Sequence, residues 1–460
     1  GASQHVESDF AQTQKMSFAV RFNYSYKGKY LFTFSNRWDG VSQFSAGHKW
    51  DSFPAGAIAW RISDEPFMNV AKNWLNNLKL RVGYGITGNS GGVDAYGTTT
   101  QAYVYTGNGL TLNGQNSSFT QYTGTYGSKD LGWEKSYNWN VGLDYGILNN
   151  RVDGSIEWFK TTTKGLLFKR TLPITSGLTG WGSPLSIWQN IAETSNQGVE
   201  VTINSHNIKT KDFSWTTSLN LSHNKNKIVK LADLPEFIDG NYIRKEGCSY
   251  ATIYLREYAG VDPNDGRPMY YDNKEDENGN RSRNIVYDPN DADRVELKDI
   301  YPKLTGGLMN TFNYKFIDLS FNLSFHLGGY SYDGAMYALQ DDGYTAQYNK
   351  STELRRRWKQ PGDITDVPRY VYGQEYGGWW NSSRGIHSTD HLRLKSLIVG
   401  VSAPQSWLRT IGINSARIYF SGTNLLTWAA YDQYDPELNG IVSYFTPPLK
   451  TFAFGLELKF

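Results

Sequence analysis

The sequence has no long apolar run and almost no cysteine. No uninterrupted hydrophobic segment approaches the ~18 residues of a transmembrane helix, so a helical membrane protein is excluded. Cys248 is the only cysteine, which excludes an internal disulfide framework and a cysteine-ligated zinc site. The 46 basic and 44 acidic residues leave a net charge of +2, and this balance gives no electrostatic support for nucleic-acid binding.

The common motifs of enzymes and of cofactor binding are also missing. The histidines form no H-E-x-x-H pair, and the chain contains no G-x-S-x-G, P-loop or dinucleotide fingerprint. We therefore expect neither an enzyme nor a bound cofactor. Residues 1–10 have neither the basic region nor the apolar region of a signal peptide, so we expect a processed chain or a fragment.

One acidic run, residues 272–280, superficially resembles a calcium-binding loop. Aligning its glycine with the sixth position of an EF-hand puts Lys274 at the first position, where a ligand is required, so the run is not an EF-hand. A looser metal site formed by Asp288, Asp291 and Asp293 is a weak candidate.

Residues 137–160 carry the clearest secondary-structure signal in the chain. Apolar residues alternate with polar residues or glycine across Trp139–Ile147 and again across Val152–Trp158. Such period-2 alternation predicts two amphipathic β-strands, and Asn149-Asn150 predicts a tight type I′ turn because asparagine tolerates positive φ. Each arm has about ten residues, near the ~9–11 that a tilted membrane-crossing strand requires.

The same pattern recurs along the chain and predicts thirteen strands in all. Short turns alternate with long intervals, as expected for the periplasmic turns and extracellular loops of an outer-membrane barrel. The long intervals, predicted as extracellular loops, are 88–130, 161–194, 226–300, 328–388 and 428–449. The predicted strands are 16–26, 30–39, 52–62, 78–87, 137–147, 152–160, 198–207, 213–225, 303–314, 317–327, 391–402, 416–426 and 451–460.

The composition agrees with a barrel that lies in lipid. Aromatic residues make up 15% of the chain although the mean hydropathy is only −0.54, as expected for aromatic girdles around a wet lumen. A soluble propeller or sandwich would not follow the strict order of short and long connections. The predicted fold class is therefore all-β, a transmembrane antiparallel β-barrel in the outer membrane.

The odd number of predicted strands indicates an incomplete barrel. Bacterial single-chain barrels have an even number of strands, and an open sheet would leave unsatisfied backbone groups in hydrocarbon. We therefore expect the first strand, 16–26, and the last strand, 451–460, each to pair with strands outside this chain.

Seven segments spread over nearly the whole chain carry motifs of one known family. They are YSYKGKYLFTFSNRWDGVSQF (24–44), WLNNLKLRVGYGITGNS (74–90), LGWEKSYNWNVGLDYGILNNRVDGSIEWFKTTTKGLL (131–167), NIAETSNQGVEVTIN (190–204), YAGVDPNDGRPMYYD (258–272), SGTNLLTWAAYDQYDPEL (421–438) and FGLELKF (454–460). Together they resemble the SusC/RagA family of TonB-dependent outer-membrane transporters from Bacteroidetes-type bacteria. The resemblance covers the C-terminal part of such a transporter.

This resemblance implies a fold, partners and a function. It implies that residues 1–460 form the C-terminal part of a plugged barrel of about 22 strands, with about nine strands and the plug domain outside this chain. It also implies a SusD-like surface lipoprotein as a lid, energy from the TonB complex through the missing N-terminal region, and import of oligosaccharides. Peptide import by the same machinery is the first alternative. A SusC-like barrel that scaffolds a surface or assembly complex without transport is the second.

Binding residues are expected in the long intervals, where aromatic rings occur beside carboxylates. Sugar faces stack on aromatic rings while their hydroxyls pair with polar side chains. Packing within a loop or against the lid is the alternative for any one ring, and solvated loop charge is the alternative for the carboxylates. The candidates are Trp379, Trp380, Tyr376, Tyr372, Trp181, Trp188, Asp341 and Asp342.

Overall fold

Thirteen strands, which we call the wall strands, dominate the computed structural model of the chain. The structure describes residues 10–100, 102–112, 115–122, 125–176, 179–180, 183–231, 235–334, 336–344, 347–373, 382–408, 412–438, 440–442 and 446–460. The wall strands are β1 Lys15–Tyr26, β2 Tyr30–Val41, β3 Trp50–Arg61, β4 Leu75–Asn89, β5 Glu134–Ile147, β6 Val152–Thr171, β7 Ser186–Lys209, β8 Phe213–Leu231, β9 Leu304–Tyr314, β10 Ile317–Leu327, β11 His391–Ser402, β12 Ser415–Ala429 and β13 Thr451–Lys459. The predicted number of strands is confirmed.

Shorter elements fill the long connections between the wall strands. The short strands are Ala102–Leu112, Gln115–Tyr122, Thr125–Tyr126, Thr179–Gly180, Ser183–Pro184, Glu236–Asp239, Tyr242–Lys245, Thr252–Arg256, Tyr258–Val261, Pro268–Tyr271, Ile285–Val286, Arg294–Asp299, Tyr330–Asp333, Ile386–Ser388 and Gly440–Val442. The helical segments are Ile62–Asp64, Pro66–Ala71, Ile174–Ser176, Pro289–Asp291, Met336–Leu339, Thr352–Arg356, Ser383–Gly385 and Gln405–Leu408. Within the described ranges, no helix is both long enough and apolar enough to cross a membrane.

The chain divides into two compact units. The first comprises residues 1–145, 157–197 and 226–234, and its wall strands follow the order β1-β2-β3-β4-β5-β6-β7, antiparallel from β1 to β4. The second comprises residues 146–156, 198–225 and 235–460, and its order is β6-β7-β8-β9-β10-β11-β12-β13, antiparallel from β8 to β13. Strands β5, β6, β7 and β8 contribute residues to both units.

The tight turn predicted at Asn149-Asn150 is confirmed. Both residues have a φ of 58°, and the amide of Arg151 donates to the carbonyl of Leu148 at 3.2 Å, as a type I′ turn requires. The turn between β1 and β2 is built the same way, with positive φ at Lys27 and Gly28. Turns of this kind match the twist of the flanking strands and therefore hold the register of each hairpin.

In the first unit, one face of the wall is apolar and exposed. Tyr24, Phe32, Ile58 and Val82 are direct cross-strand neighbours from β1 to β4, and the first three are 41–57% exposed. Large exposed apolar surfaces of this extent are unfavourable in water but match a hydrocarbon environment. This face therefore has the character of a lipid-facing wall.

In the second unit, polar side chains follow the opposite face from the apolar ones. Arg417 on β12 pairs with Asp318 on β10 at 2.7 Å and with Glu457 on β13 at 3.4 Å. The ion pair passes over Gly400 of β11, where a Cβ would lie 2.4 Å from the Asp318 carboxylate. Leu456, on the other face, is 61% exposed. This register puts Glu457 on the polar face beside Arg417 and Leu456 on the apolar face beside Ile418.

The interval predicted as a loop at 161–194 differs in extent from the structure. Strand β6 continues to Thr171 and β7 begins at Ser186, so only residues 172–185 connect these two wall strands. The sequence does not reveal the extension because polar residues occupy both faces of Thr161–Lys164. Alternation marks a strand only where its two faces meet different surroundings.

Two small cores stabilise the loop ends of the units. The first unit buries Val41, Phe44, Phe53, Val93, Leu131 and Trp133. The second unit buries Ile253, Leu255 and Tyr332 beneath the short strands of residues 242–300 and 330–388. These cores lie at the ends of the wall strands away from the short turns at 27–29 and 148–151, so the long connections are packed structures in their own right.

Candidate functional site

A charged row crosses β4, β5 and β6 near the short turns. Arg81 pairs with Asp144 at 2.8 Å and with Glu157 at 2.5 Å, and Asn140 donates to Glu157 at 3.1 Å. The guanidinium passes over Gly142, where a Cβ would lie 2.9 Å from Arg81 Nη2. All these groups are a quarter or more exposed except Glu157, at 24%. The row forms a polar surface whose charged side chains are partly accessible to solvent.

A buried ion-pair network holds the connection after β12 against β11. Arg393 makes a bidentate contact with Asp435, at 2.8 and 2.7 Å, and its other terminal nitrogen reaches Glu437 at 3.1 Å. Lys395 also pairs with Glu437, at 2.5 Å. The side chains of Arg393 and Asp435 are 2% and 6% exposed. Because one unpaired member would leave an isolated buried charge, these contacts fix the position of the connection.

The carboxylates of the candidate binding residues Asp341 and Asp342 are buried, which excludes the alternative that they are solvated loop charges. Asp341 pairs with Lys350 at 2.6 Å, and Asp342 pairs with Arg384 at 3.0 Å. Asp342 is 1% exposed. The physical reason is that each carboxylate meets a cation from a distant part of the same long connection, and this pairing offsets its desolvation. The two aspartates therefore organise the connection from within.

An aromatic stack lies beside this network. The rings of His387 and Tyr431 are 3.7 Å apart and 3° from parallel, and Tyr431 donates to Asp333 at 3.1 Å. Burial lowers the pKa of His387 to about 4, so the imidazole is neutral at pH 7. Burial also raises the pKa of Tyr434, to about 12, and its hydroxyl contacts Ser331. The stack joins the connection before β11 to the one after β12.

The segment 258–272, one of those that resemble the family, packs against Trp358 and Arg369, and its sequence alone does not predict these contacts. Gly266 has a φ of 77°, and a Cβ there would lie 2.4 Å from the ring of Trp358. The indole of Trp358 donates to the carbonyl of Pro263 at 3.0 Å, and Arg369 donates to the carbonyl of Asp265 at 3.1 Å. The glycine in this segment is thus required by the close approach of an aromatic ring.

Only some of the predicted binding residues fall within the described parts of the chain. Trp188 is half-buried, packs against the core of the first unit and donates to Asp94 at 3.2 Å. Tyr372 is 85% exposed. Asp341 and Asp342 pair with Lys350 and Arg384, and the carbonyl of Asp342 accepts from the amide of Val371, the residue before Tyr372, at 2.8 Å. Four candidates lie outside the described residues: Trp181, Tyr376, Trp379 and Trp380.

The described residues on either side of 374–381 are firmly attached. The amide of Gly373 donates to the carbonyl of Gly343 at 3.0 Å, and Ser382 forms a bridge with Arg256. Ser382 is fully buried. Gly373 is thus bonded to the residue after Asp342, and Ser382 lies two residues before Arg384, the partner of Asp342. Both ends of the segment 374–381 are therefore held next to the Asp342–Arg384 ion pair.

Of the three aspartates named as a weak candidate metal site, Asp288 has a structural role. Asp288 accepts a hydrogen bond from the amide of Asn290 at 2.8 Å and caps the helical turn Pro289–Asp291. Over the described residues, no group of three or more His, Cys, Asp or Glu side chains is placed to hold a metal ion. Asp291 and Asp293 are both exposed.

Amphipathic strands, tight turns at one end, packed loops at the other and ion pairs on the non-lipid face define the class of an outer-membrane β-barrel. A match to a protein-family model identifies the family within this class. The model described as "TonB dependent receptor-like, beta-barrel" matches residues 5–244. The chain belongs to this family of outer-membrane receptors and transporters, whose members are not enzymes.

Individual relatives cover nearly all of this chain. TonB-dependent receptor P3 of Formosa agariphila is 33% identical over 98% of the chain and 46% of its own length. TonB-dependent receptor SusC of Bacteroides thetaiotaomicron is 31% identical over 97% of the chain and 44% of its own length. The RagAB peptide transporter structure matches 97% of the chain and 48% of its own chain, with 27% identity and a TM-score of 0.83. The chain thus spans about half the length of the curated relatives that it matches.

Proposed function

We propose that this chain is the C-terminal part of the wall of an importer for large nutrients, most simply oligosaccharides. The observation that carries the proposal is the contrast between the two ends of the wall strands. One end has short turns such as residues 27–29 and 148–151, whereas the other carries connections braced by the buried pairs Arg393–Asp435 and Asp342–Arg384. Preorganised loops of this kind suit ligand capture, because little ordering remains to be done on binding.

The two terminal wall strands, β1 and β13, each have one edge that is not paired with another described strand. Among the described residues, β1 pairs only with β2 and β13 only with β12. All twelve residues of β1 are exposed, on both faces. Because unsatisfied backbone groups in lipid cost several kcal/mol each, we propose that strands and a plug from another segment or chain complete the barrel.

The long connections are the proposed extracellular surface. In this proposal the intervals 88–130, 226–300, 328–388 and 428–449, together with residues 172–185 of the interval 161–194, form the vestibule and dock a SusD-like lipoprotein lid, while TonB supplies energy from the periplasmic side. The packed cores and ion pairs of these connections support a stable docking surface. Their aromatic content favours sugar stacking.

Peptide import by the same machinery is the second candidate. It is favoured by one specific observation, the similarity of this wall to that of a protein described as a peptide transporter. A non-transporting scaffold would need the same barrel and the same lid surface, but no bound nutrient.

The rings at Trp379 and Trp380 provide the test of the substrate class. The complete protein with its lid partner is titrated calorimetrically with mixed oligosaccharides and, separately, with mixed peptides. Each Trp→Ala variant should weaken oligosaccharide binding by roughly 0.5–1.5 kcal/mol beyond the lost area. Trp74→Ala, a 53% exposed ring near the short turns, is the matched control. Unchanged affinity in both variants, with lid docking intact, would remove these rings from the site, and binding of peptides alone would reverse the substrate assignment.

A further inference from the structure

A cavity of about 420 Å³ opens at the loop end of the first unit. It lies where the β2–β3 connection meets residues 95–99 and 128–129, away from the turn at Lys27-Gly28. This volume is within the ~300–1,000 Å³ typical of small-ligand sites. The side chains that line the cavity include those of Ser42, Lys49, Tyr96, Thr98, Thr99 and Lys129.

The cavity floor is rigid because two buried serines join its walls. Ser45 Oγ donates to the carbonyl of Ser128 at 3.1 Å and accepts from the amide of Leu131 at 3.0 Å. Gly127 allows the close approach of the third wall, since a Cβ there would lie 2.7 Å from the carbonyl oxygen of Thr98. The shape of the cavity is therefore set by buried hydrogen bonds and by a backbone contact that only glycine permits.

Two lysines project from fixed backbone positions at the cavity. The carbonyl of Lys49 accepts from the amide of Val41 at 3.0 Å and from the indole of Trp133 at 3.1 Å. Lys129 directly follows the buried Ser128. The structure therefore fixes the backbone positions from which both lysine side chains extend, and each side chain is exposed to solvent.

The two lysines at the cavity are exposed, and one exposed carboxylate, Asp130, directly follows Lys129 in the chain. Neither Lys49 nor Lys129 takes part in an ion pair among the described residues. Two acidic residues of the neighbouring loops are paired elsewhere, Asp51 with Lys135 at 2.7 Å and Asp94 with a lysine at 3.3 Å. The cavity thus offers two cations to an anionic ligand.

The remaining lining groups fit a sugar. Ser42, Thr98 and Thr99 supply hydroxyls, which pair with sugar hydroxyls, and the 43% exposed ring of Tyr96 offers a stacking surface. We propose that this cavity binds an acidic sugar residue of an oligosaccharide, with its carboxylate or sulfate held by Lys49 and Lys129. Its biological meaning as a substrate subsite rests on the proposed import function, but the binding itself does not.

The test compares trigalacturonate with neutral galactotriose, titrated into the complete protein in detergent. We expect trigalacturonate to bind at least about tenfold more tightly and to lose affinity as salt rises from 0.05 to about 0.5 M, because exposed charges are screened. The Lys49→Ala/Lys129→Ala double variant should lose about tenfold or more of this affinity, and Lys49→Arg/Lys129→Arg should retain most of it. Lys72→Ala, an exposed lysine near the short turns, is the matched control and should bind normally.

Three results would overturn the inference. They are equal affinity for the two trisaccharides, unchanged trigalacturonate affinity in the double alanine variant, and lysine-dependent binding of triglutamate without binding of trigalacturonate. Unaltered heat-dependent gel mobility of the variants verifies that each barrel is folded. Since no energised transport is measured, loss of uptake in cells would count against the import function and not against this site.

Discussion

Breaking the buried pair between Arg393 and Asp435 should release the connection that follows β12. In the Arg393→Met variant, Asp435 loses two charge-assisted hydrogen bonds of 2.8 and 2.7 Å while it remains 6% exposed. Removing one partner of a buried ion pair costs about 3–5 kcal/mol. Glu437 retains Lys395 as a partner, so the damage should be confined to Asp435.

That cost converts into a measurable rate of local opening. At about 1.4 kcal/mol for each factor of ten, the open population should rise roughly 100- to 1,000-fold or more. Limited proteolysis of the folded protein reports this population when closing is faster than cleavage. The assay is the rate of cleavage within residues 428–449, followed by mass spectrometry of the fragments.

Two further variants separate the loss of the buried pair from the loss of a positive charge alone. Arg355→Met removes the same charge from an exposed position and should leave the cleavage rate unchanged. The double variant Arg393→Met/Asp435→Leu removes both charges and should recover most of the protection, because an apolar pair replaces an ion pair at little cost. Cleavage of Arg393→Met at the rate of the unsubstituted protein would refute the claim that this pair fastens the connection.

Three other predictions follow from the wall and the loops. Leu456→Arg should cost about 2–4 kcal/mol of unfolding free energy in lipid whereas Glu457→Gln costs little, and equal costs measured by denaturant titration in vesicles would contradict the register. Gly306→Ala should cost about 1–3 kcal/mol in the same assay because its Cβ would lie 2.8 Å from the backbone carbonyl oxygen of Asn220, while Gly56→Ala, with its nearest atom at 3.7 Å, should be tolerated. Since the pKa of His387 falls from 6.5 to about 4 in the folded protein, the unfolded segment binds the proton first, and the stability that the neutral ring contributes is present above pH 6.5 and lost towards pH 4. The protection factors of the amides across residues 383–390, which are corrected for the intrinsic slowing of exchange in acid, should therefore fall over that pH range, and His387→Phe should abolish the dependence.

The wall was predictable from sequence because the bilayer imposes a local pattern. Each residue of 137–160 faces either lipid or a polar surface, so alternation alone locates the strands and Asn149-Asn150 locates the turn. Beyond the bilayer this contrast ends, and the extension of β6 to Thr171 carries no such signal.

The loop architecture was not predictable because its contacts join distant residues. Asp342 and Arg384 are 42 positions apart, as are Arg393 and Asp435, and nothing in the local sequence pairs them. Asp341 and Asp342 therefore read as ordinary loop charges until their partners are seen. The close approach at Gly306 is equally non-local, since a Cβ there would meet the backbone carbonyl oxygen of Asn220 on the neighbouring strand β8.

Energy-dependent uptake by whole cells tests the central claim most directly. Cells that express the complete protein and its lid partner are given a labelled oligosaccharide pool, with and without a functional TonB complex. The account predicts accumulation that stops when TonB is removed or the proton gradient is dissipated, while surface binding persists. Binding without accumulation in TonB-competent cells would contradict import and favour a scaffold.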